Sequence, residues 1–168
     1  EPVFLKWAGS HTGVAFSPDA AFVVTTMQDA QLHGWRLKDA KDMRMGGYPS
    51  KVRSMAFFDQ GRQLATSGAQ GAVLWPFTGA NGPMGQQATE IGFEQGTQVT
   101  CVAAQTRLGL LAAGLDDGRV WLANPKAADL SFLKAEKGAP VTDLALSIDG
   151  SRIAWADDEG QAGVIDLP

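Results

Sequence analysis

The chain has 168 residues, of which 45% are hydrophobic and 19% are charged, and its net charge is −4 at neutral pH. This composition excludes intrinsic disorder, and the acidic balance argues against a nucleic-acid partner, since polyanions are bound through basic surfaces. No stretch approaches the ~20 apolar residues of a membrane span, and Glu1 to Trp7 lacks the pattern of a secretory leader. We therefore predict a cytoplasmic protein without a membrane partner, in keeping with its single cysteine, Cys101.

In chain order, four segments show the same succession of apolar strand, polar turn, apolar strand, turn and third strand. These segments are Val14–Trp35, Val52–Trp75, Val99–Leu122 and Val141–Asp166. Alanines at one shared position recur at intervals of 41, 47 and 42 residues, as Ala15, Ala56, Ala103 and Ala145. A period of ~40 to 45 residues with several short strands per unit is typical of propeller blades. The sequence thus predicts an all-β protein whose repeats are blades of four antiparallel strands.

Three local features need interpretation. The outermost strand of each unit is the weakest, and its candidates are 43–45, 88–93 and 130–133. The Gly/Pro-rich stretch Gly79–Gly85 accounts for the longest interval and reads as a surface loop. The Ala/Leu-rich run Cys101–Leu115 could pass for a buried helix. Its register favours strands, because the equivalent windows contain turns.

These units resemble the WD-repeat family of β-propellers over nearly the whole chain. Val14–Asp19 is similar to that family's first strand and turn, and Asp29 precedes Trp35 by six residues, as in the family. The resemblance implies a buried hydrogen-bonded network of Asp29, Thr25 or Thr26, Trp35 and a histidine. The family's Gly-His pair is absent from three repeats. We therefore expect an incomplete network and repeats held together mainly by apolar packing.

The number of repeats bears on the whole assembly. The family usually closes its ring with about seven blades, so four repeats indicate a half-propeller. Its approximate repeats are 11–49, 50–96, 97–138 and 139–168. Residues 1–10 are expected to be a closing strand, in which Val3–Trp7 completes the last blade. The expected partner is then a second copy, forming a homodimer, or the other half of a longer propeller.

Few residues suggest catalytic chemistry. His11 and His33 are candidates for a general base or metal ligand, but a metal site needs three or four converging ligands and no short spacing supplies them. Cys101 lies in an apolar strand, where a thiol behaves as a small hydrophobe. The acidic clusters Asp116–Asp117 and Asp157–Glu159 precede turn glycines and read as hairpin turns. We predict no enzyme activity, no cofactor and no metal.

The leading hypothesis is a non-enzymatic scaffold that presents propeller rim loops to a protein or peptide. In the family, the residues that begin first strands and form second-to-third-strand turns lie on the binding face. The expected partner surface therefore consists of Arg53, Thr100, Thr142, Asp116 and Asp157. Two alternatives stay open: a small-ligand or metal-binding propeller, including an enzyme, that uses the central channel, and a self-assembly module that closes an eight-bladed ring as a homodimer.

Overall fold

A computed structural model describes residues 2–167 and contains four antiparallel sheets, of four, four, four and three strands. Each sheet is a meander, because strands that follow one another in the chain are neighbours in the sheet. The predicted all-β class and the four blade-like sheets are confirmed.

The strands follow the repeat. The first sheet contains β1 (His11–Phe16), β2 (Phe22–Met27), β3 (Leu32–Arg36) and β4 (Lys41–Met45). The second contains β5 (Met55–Phe58), β6 (Gln63–Thr66), β7 (Ala72–Pro76) and β8 (Thr89–Ile91), with a 3₁₀ turn at Asp59–Gly61. The third contains β9 (Val99–Gln105), β10 (Leu110–Leu115), β11 (Val120–Asn124) and β12 (Asp129–Lys134). The fourth contains β13 (Val141–Leu146), β14 (Arg152–Asp157) and β15 (Ala162–Asp166).

The Ala/Leu-rich run Cys101–Leu115 forms two antiparallel strands, as the repeat register predicts. Ala103 of β9 pairs with Ala112 of β10, and Leu110 pairs with Gln105 across the turn. Both sides of this hairpin are buried between neighbouring sheets, so apolar residues occupy both faces of each strand. This two-sided burial explains why the run lacks the alternation of a half-buried strand.

The apolar core consists of layers between successive sheets. Phe22, Val24, Leu32 and Leu64 belong to the cluster between the first and second sheets. The layer between the second and third sheets is formed by Ala65, Leu74, Val102, Leu111 and Trp121, among others. The layer between the third and fourth sheets is formed by Cys101, Ala112, Val120, Leu144 and Ile153, among others. Successive strand residues point to opposite faces, so one sheet contributes to two layers.

The N-terminal segment does not follow the sequence prediction. Residues 2–10 contain no strand, and the fourth sheet has three strands within the described part of the chain. Trp7 instead stacks on His33 of the first sheet at a centroid distance of 4.0 Å, and the guanidinium carbon of Arg44 lies 4.1 Å from the Trp7 ring. The prediction that Val3–Trp7 completes the last blade is therefore wrong for the single chain, because Trp7 finds aromatic and cationic contacts on the first sheet.

The loop from Gly79 to Gly85 is more than a surface connection. Its residue Gly82 is buried with φ +59°, and a Cβ there would lie 2.8 Å from Sδ of Met43 and 3.3 Å from Cε1 of Phe22. The guanidinium of Arg36 donates a 2.8 Å hydrogen bond to the carbonyl of Ala80. The loop therefore attaches the second sheet to the side of the first.

Candidate functional site

Four of the predicted surface residues lie where the first strand of a sheet starts or where its second strand ends. We call the first strands β1, β5, β9 and β13 the inner strands. Thr100 and Thr142 are the second residues of β9 and β13, Asp116 follows β10, and Asp157 is the last residue of β14. In an antiparallel meander, the start of the first strand and the end of the second strand lie on the same side of the sheet, at the edge formed by strand ends. Arg53 shortly precedes β5 and reaches the same edge of the second sheet. We call this edge, represented by the five predicted residues, the strand-start rim.

Hydrogen bonds fix two of these side chains, within the third sheet and between the third and fourth sheets. The hydroxyl of Thr100 lies 2.6 Å from the carbonyl oxygen of Val141 and 3.0 Å from that of Gly114, and it donates to one of them at a time. The carboxylate of Asp116 accepts a 2.9 Å hydrogen bond from the backbone N–H of Gln98. Thr100 therefore connects the third and fourth sheets, and Asp116 closes the edge of its own sheet.

The rim residues of the fourth sheet are similarly engaged. Thr142 donates to the carbonyl of Ala156 at 3.2 Å, and Asp157 accepts hydrogen bonds from the backbone N–H groups of Gln161 at 2.8 Å and Glu159 at 3.1 Å. Asp157 thus shapes the turn that leads to β15. This turn also exposes Glu159 to solvent, so the rim is anionic at the fourth sheet.

Arg53 differs from the other four residues. Its backbone N–H donates to Oγ of Ser67 at 3.1 Å, which fixes its position, while its side chain is exposed. Among residues 2–167, no hydrogen bond or ion pair engages its guanidinium. With Lys51, Gln98 and Thr100, Arg53 lines a cavity of about 230 Å³ at the junction of the second and third sheets. The structure therefore brings Arg53 and Thr100 together and leaves a cationic side chain available there.

The first sheet contains part of the polar network that the family resemblance implies. Nδ1 of His11 lies 2.8 Å from Oγ1 of Thr25, whose hydroxyl lies 3.1 Å from the His33 carbonyl oxygen and donates to it. Thr26 shares a 3.0 Å hydrogen bond with the hydroxyl of Thr12. Both threonines of the predicted network are therefore buried and hydrogen-bonded.

The other two predicted members occupy different environments. Trp35 is buried, with its ring edge-on to His33 at 4.8 Å between centroids. Asp29 lies exposed in the turn between β2 and β3, and within the described chain its carboxylate has no hydrogen-bond partner. The structure thus joins Thr25 to a histidine and leaves Asp29 outside that pair, since the turn places this carboxylate in solvent.

The second sheet has an equivalent network built around a residue that sequence reasoning missed. Nε1 of Trp75 donates a 2.6 Å hydrogen bond to the hydroxyl oxygen of Tyr48, which lies 2.6 Å from Oγ1 of Thr66. Burial raises the pKa of Tyr48 to about 12, so its hydroxyl stays protonated. The sequence does contain one indication of this network. Thr66 follows Thr25 by 41 residues, which is the interval between the first two repeats.

A larger groove accompanies this network. Tyr48, Val73, Trp75 and Phe93 line a groove of about 550 Å³ beside the outer strand β8, and Glu90 contributes a carboxylate. The Glu90 carboxylate accepts a 2.5 Å hydrogen bond from the backbone N–H of Gly71. The groove therefore has three aromatic side chains in its wall, and the backbone already occupies its carboxylate.

The groups considered for catalysis have other environments. Burial raises the pKa of the Cys101 thiol to about 11, so the thiol stays protonated at neutral pH. Burial lowers the pKa of His33, although Asp42 lies 3.6 Å away and opposes this shift. Within residues 2–167, no cluster of three or more His, Cys, Asp or Glu side chains is placed to hold a metal ion. In the same part of the chain, no helix has the length and apolar character needed to cross a membrane.

Comparisons with known proteins give no family name. No protein-family model matches the chain, and no curated protein matches its sequence. The blade-like sheets are shown by the structure, whereas the WD-repeat assignment stays a prediction.

Proposed function

We propose that this chain is a non-enzymatic interaction scaffold made of WD-type blades, and that it binds a protein or peptide at the strand-start rim. The observation that carries the proposal is the exposed guanidinium of Arg53, which has no partner among residues 2–167 and lies beside a cavity between two sheets. Its neighbours Thr100 and Asp116 are fixed by hydrogen bonds, so a partner meets a rigid surface. Binding to a rigid surface loses less conformational entropy.

The charges along the rim indicate the kind of partner. Lys51 and Arg53 stand at the second sheet, whereas Asp157, Asp158 and Glu159 stand at the fourth. A partner that carries acidic groups toward one end of its contact and basic groups toward the other would be steered into a single orientation. The WD-type assignment is supported by the His11–Thr25 hydrogen bond of the first sheet and the Trp–Tyr–Thr network of the second.

The test is selection of peptides from a random displayed library against the full chain, followed by affinity measurement by calorimetry. We expect Arg53→Ala to weaken binding of the selected peptides about tenfold, or ~1.4 kcal/mol, because the cationic contact is lost. Arg107→Ala is the matched control, since Arg107 is also exposed but follows β9, at the opposite edge of the sheets. Peptides that respond to Arg107→Ala and ignore Arg53→Ala would move the binding site away from the strand-start rim.

A further inference from the structure

The two faces of the second and fourth sheets differ in the size of their side chains. Facing the preceding sheet, the inner strands of the second and fourth sheets carry large residues: Met55 and Phe57, and Leu144 and Leu146. Facing the following sheet, the second and third sheets carry small residues at equivalent positions: Ala56 and Ala65, and Ala103 and Ala112. Small side chains let the neighbouring sheet approach closely, and large ones fill the space between sheets.

Within residues 2–167, no sheet packs against the bulky face of the first sheet. Val14 and Phe16 of β1 are 69% and 61% exposed, although their equivalents Met55 and Phe57 pack into the layer between sheets. Residues 4–7 cover the part of this face around His33, Trp35, Asp42 and Arg44. The inner-strand part of the bulky face therefore stays open.

The fourth sheet has the opposite face open. Ala154 is partly exposed, whereas the residues at its position in the other sheets, Val24, Ala65 and Ala112, have 0% exposure. Its paired neighbour Val164 is 66% exposed. Ala145, Ala154, Ala156, Ala162 and Val164 share this face, which consequently has only small apolar residues at its centre. We call it the alanine face.

A charged residue at the edge of the alanine face also has a counterpart. Asp143 occupies the position that Cys101 has in the third sheet, just after a register shift in the first strand. Cys101 contacts Val141 of the following sheet, and the residue of the first sheet at the position of Val141 is His11. Packing the alanine face on a first sheet thus brings a carboxylate toward an imidazole, which is a favourable pairing.

We propose that the alanine face packs against Val14 and Phe16 on the first sheet of a second copy of this chain. The second and third sheets, and the third and fourth, contact each other chiefly through their first strands β5, β9 and β13, and β1 and β13 offer that same contact between copies. A two-fold arrangement uses both open faces of both copies, so no apolar face is left over. This interface lies on sheet faces, and its test is therefore independent of binding at the strand-start rim.

The experiment is sedimentation equilibrium of the full chain over a wide concentration range. We expect a concentration-dependent shift from the 17.7 kDa monomer to twice that mass. Ala154→Arg and Phe16→Asp should each give a monomer, because either change puts a charge into both copies of the contact. Ile148→Ser is the matched control and should still dimerise, since Ile148 is 88% exposed on the turn after β13 and lies on neither face.

Mixing the two monomeric variants separates this geometry from others. One contact in the mixed pair combines an intact alanine face with an intact first-sheet face, so the mixture should dimerise where each variant alone does not. A wild-type chain that stays at 17.7 kDa at every concentration would overturn the proposal. So would a dimer that resists Phe16→Asp, because two alanine faces would then be packing on each other. Circular dichroism melting of each variant verifies that both remain folded.

Discussion

Buried polar side chains in the first two sheets are satisfied by different residues at the same strand position. Thr25 uses His11, whereas Thr66 uses Tyr48 and, through it, the indole of Trp75. Buried donors and acceptors are costly unless they are paired, so each sheet needs some partner, although the identity of the partner can change. The position of the threonine is therefore more informative than the residue type of its partner.

The Tyr48 hydroxyl provides a direct measure of such a network. Tyr48→Phe removes the partner of both Trp75 and Thr66, and we expect the free energy of unfolding to fall by ~1 to 3 kcal/mol, the usual cost of leaving buried groups unsatisfied. Urea denaturation measures this loss. Thr78→Val is the control, since it removes an exposed hydrogen bond to Gln86 and should change stability by no more than ~0.5 kcal/mol. Equal losses in both variants would contradict a special role for Tyr48.

At the scale of elements, the distance between neighbouring sheets depends on small residues in the second strands. Gly114 of β10 is the tightest example, because a Cβ there would lie 2.5 Å from Cγ1 of Val141 and 2.8 Å from Sγ of Cys101. No ordinary side chain fits without moving β13 away from β10. The absence of a side chain at Gly114 therefore sets how closely the third and fourth sheets pack.

Gly114→Ala should consequently destabilise the chain by ~1 to 3 kcal/mol, the usual cost of overpacking a core. Gly46→Ala should have little effect, because Gly46 is exposed and nothing lies within 4 Å of the position that a Cβ would take there. Thermal or urea unfolding distinguishes the two variants. Adding Val141→Ala to Gly114→Ala should cost less than the two single changes together, since the smaller side chain relieves the clash. Strict additivity would argue against a direct contact.

At the scale of the molecule, acid sensitivity comes from groups in separate sheets. Burial is the main cause of the lowered pKa of His33, and the nearby charges of Arg44 and His11 lower it further, against the opposing effect of Asp42. Hydrogen bonds from Arg36 and Ser147 lower the pKa values of Asp39 and Asp149, respectively, to about 2. All three groups bind protons more weakly in the folded chain than in the unfolded one.

Stability should therefore fall in two steps on acidification from neutral pH. The first step begins near the usual His pKa of about 6.5, where the unfolded chain takes up a proton that buried His33 resists. The second runs from about pH 4 toward pH 2, as Asp39 and Asp149 must be protonated. Urea midpoints measured across pH should show both steps, and His33→Gln should remove the first. A first step that survives in His33→Gln would mean that another group causes it.

Local patterns in the sequence were sufficient to predict the strands and turns. Alternating side chains and turn residues act over a few positions, and the recurrence of Ala15, Ala56, Ala103 and Ala145 aligned all four repeats. The same register placed Thr100, Thr142 and Asp116 at one edge of the sheets. This much follows from sequence because an antiparallel meander leaves little choice about which strand ends meet.

The roles of those residues depend on contacts that form only when the sheets pack together. Thr100 donates a hydrogen bond to the Val141 carbonyl, and Asp116 accepts one from the Gln98 backbone, while the guanidinium of Arg53 remains open to a partner. Each outcome depends on a neighbour distant in the sequence or on the fold of the turn. The placement of Trp7 is similar, since an apolar segment of its kind can pair with a strand edge or stack on an aromatic ring. The choice is made by the energies of long-range contacts, which the pattern of a short segment does not contain.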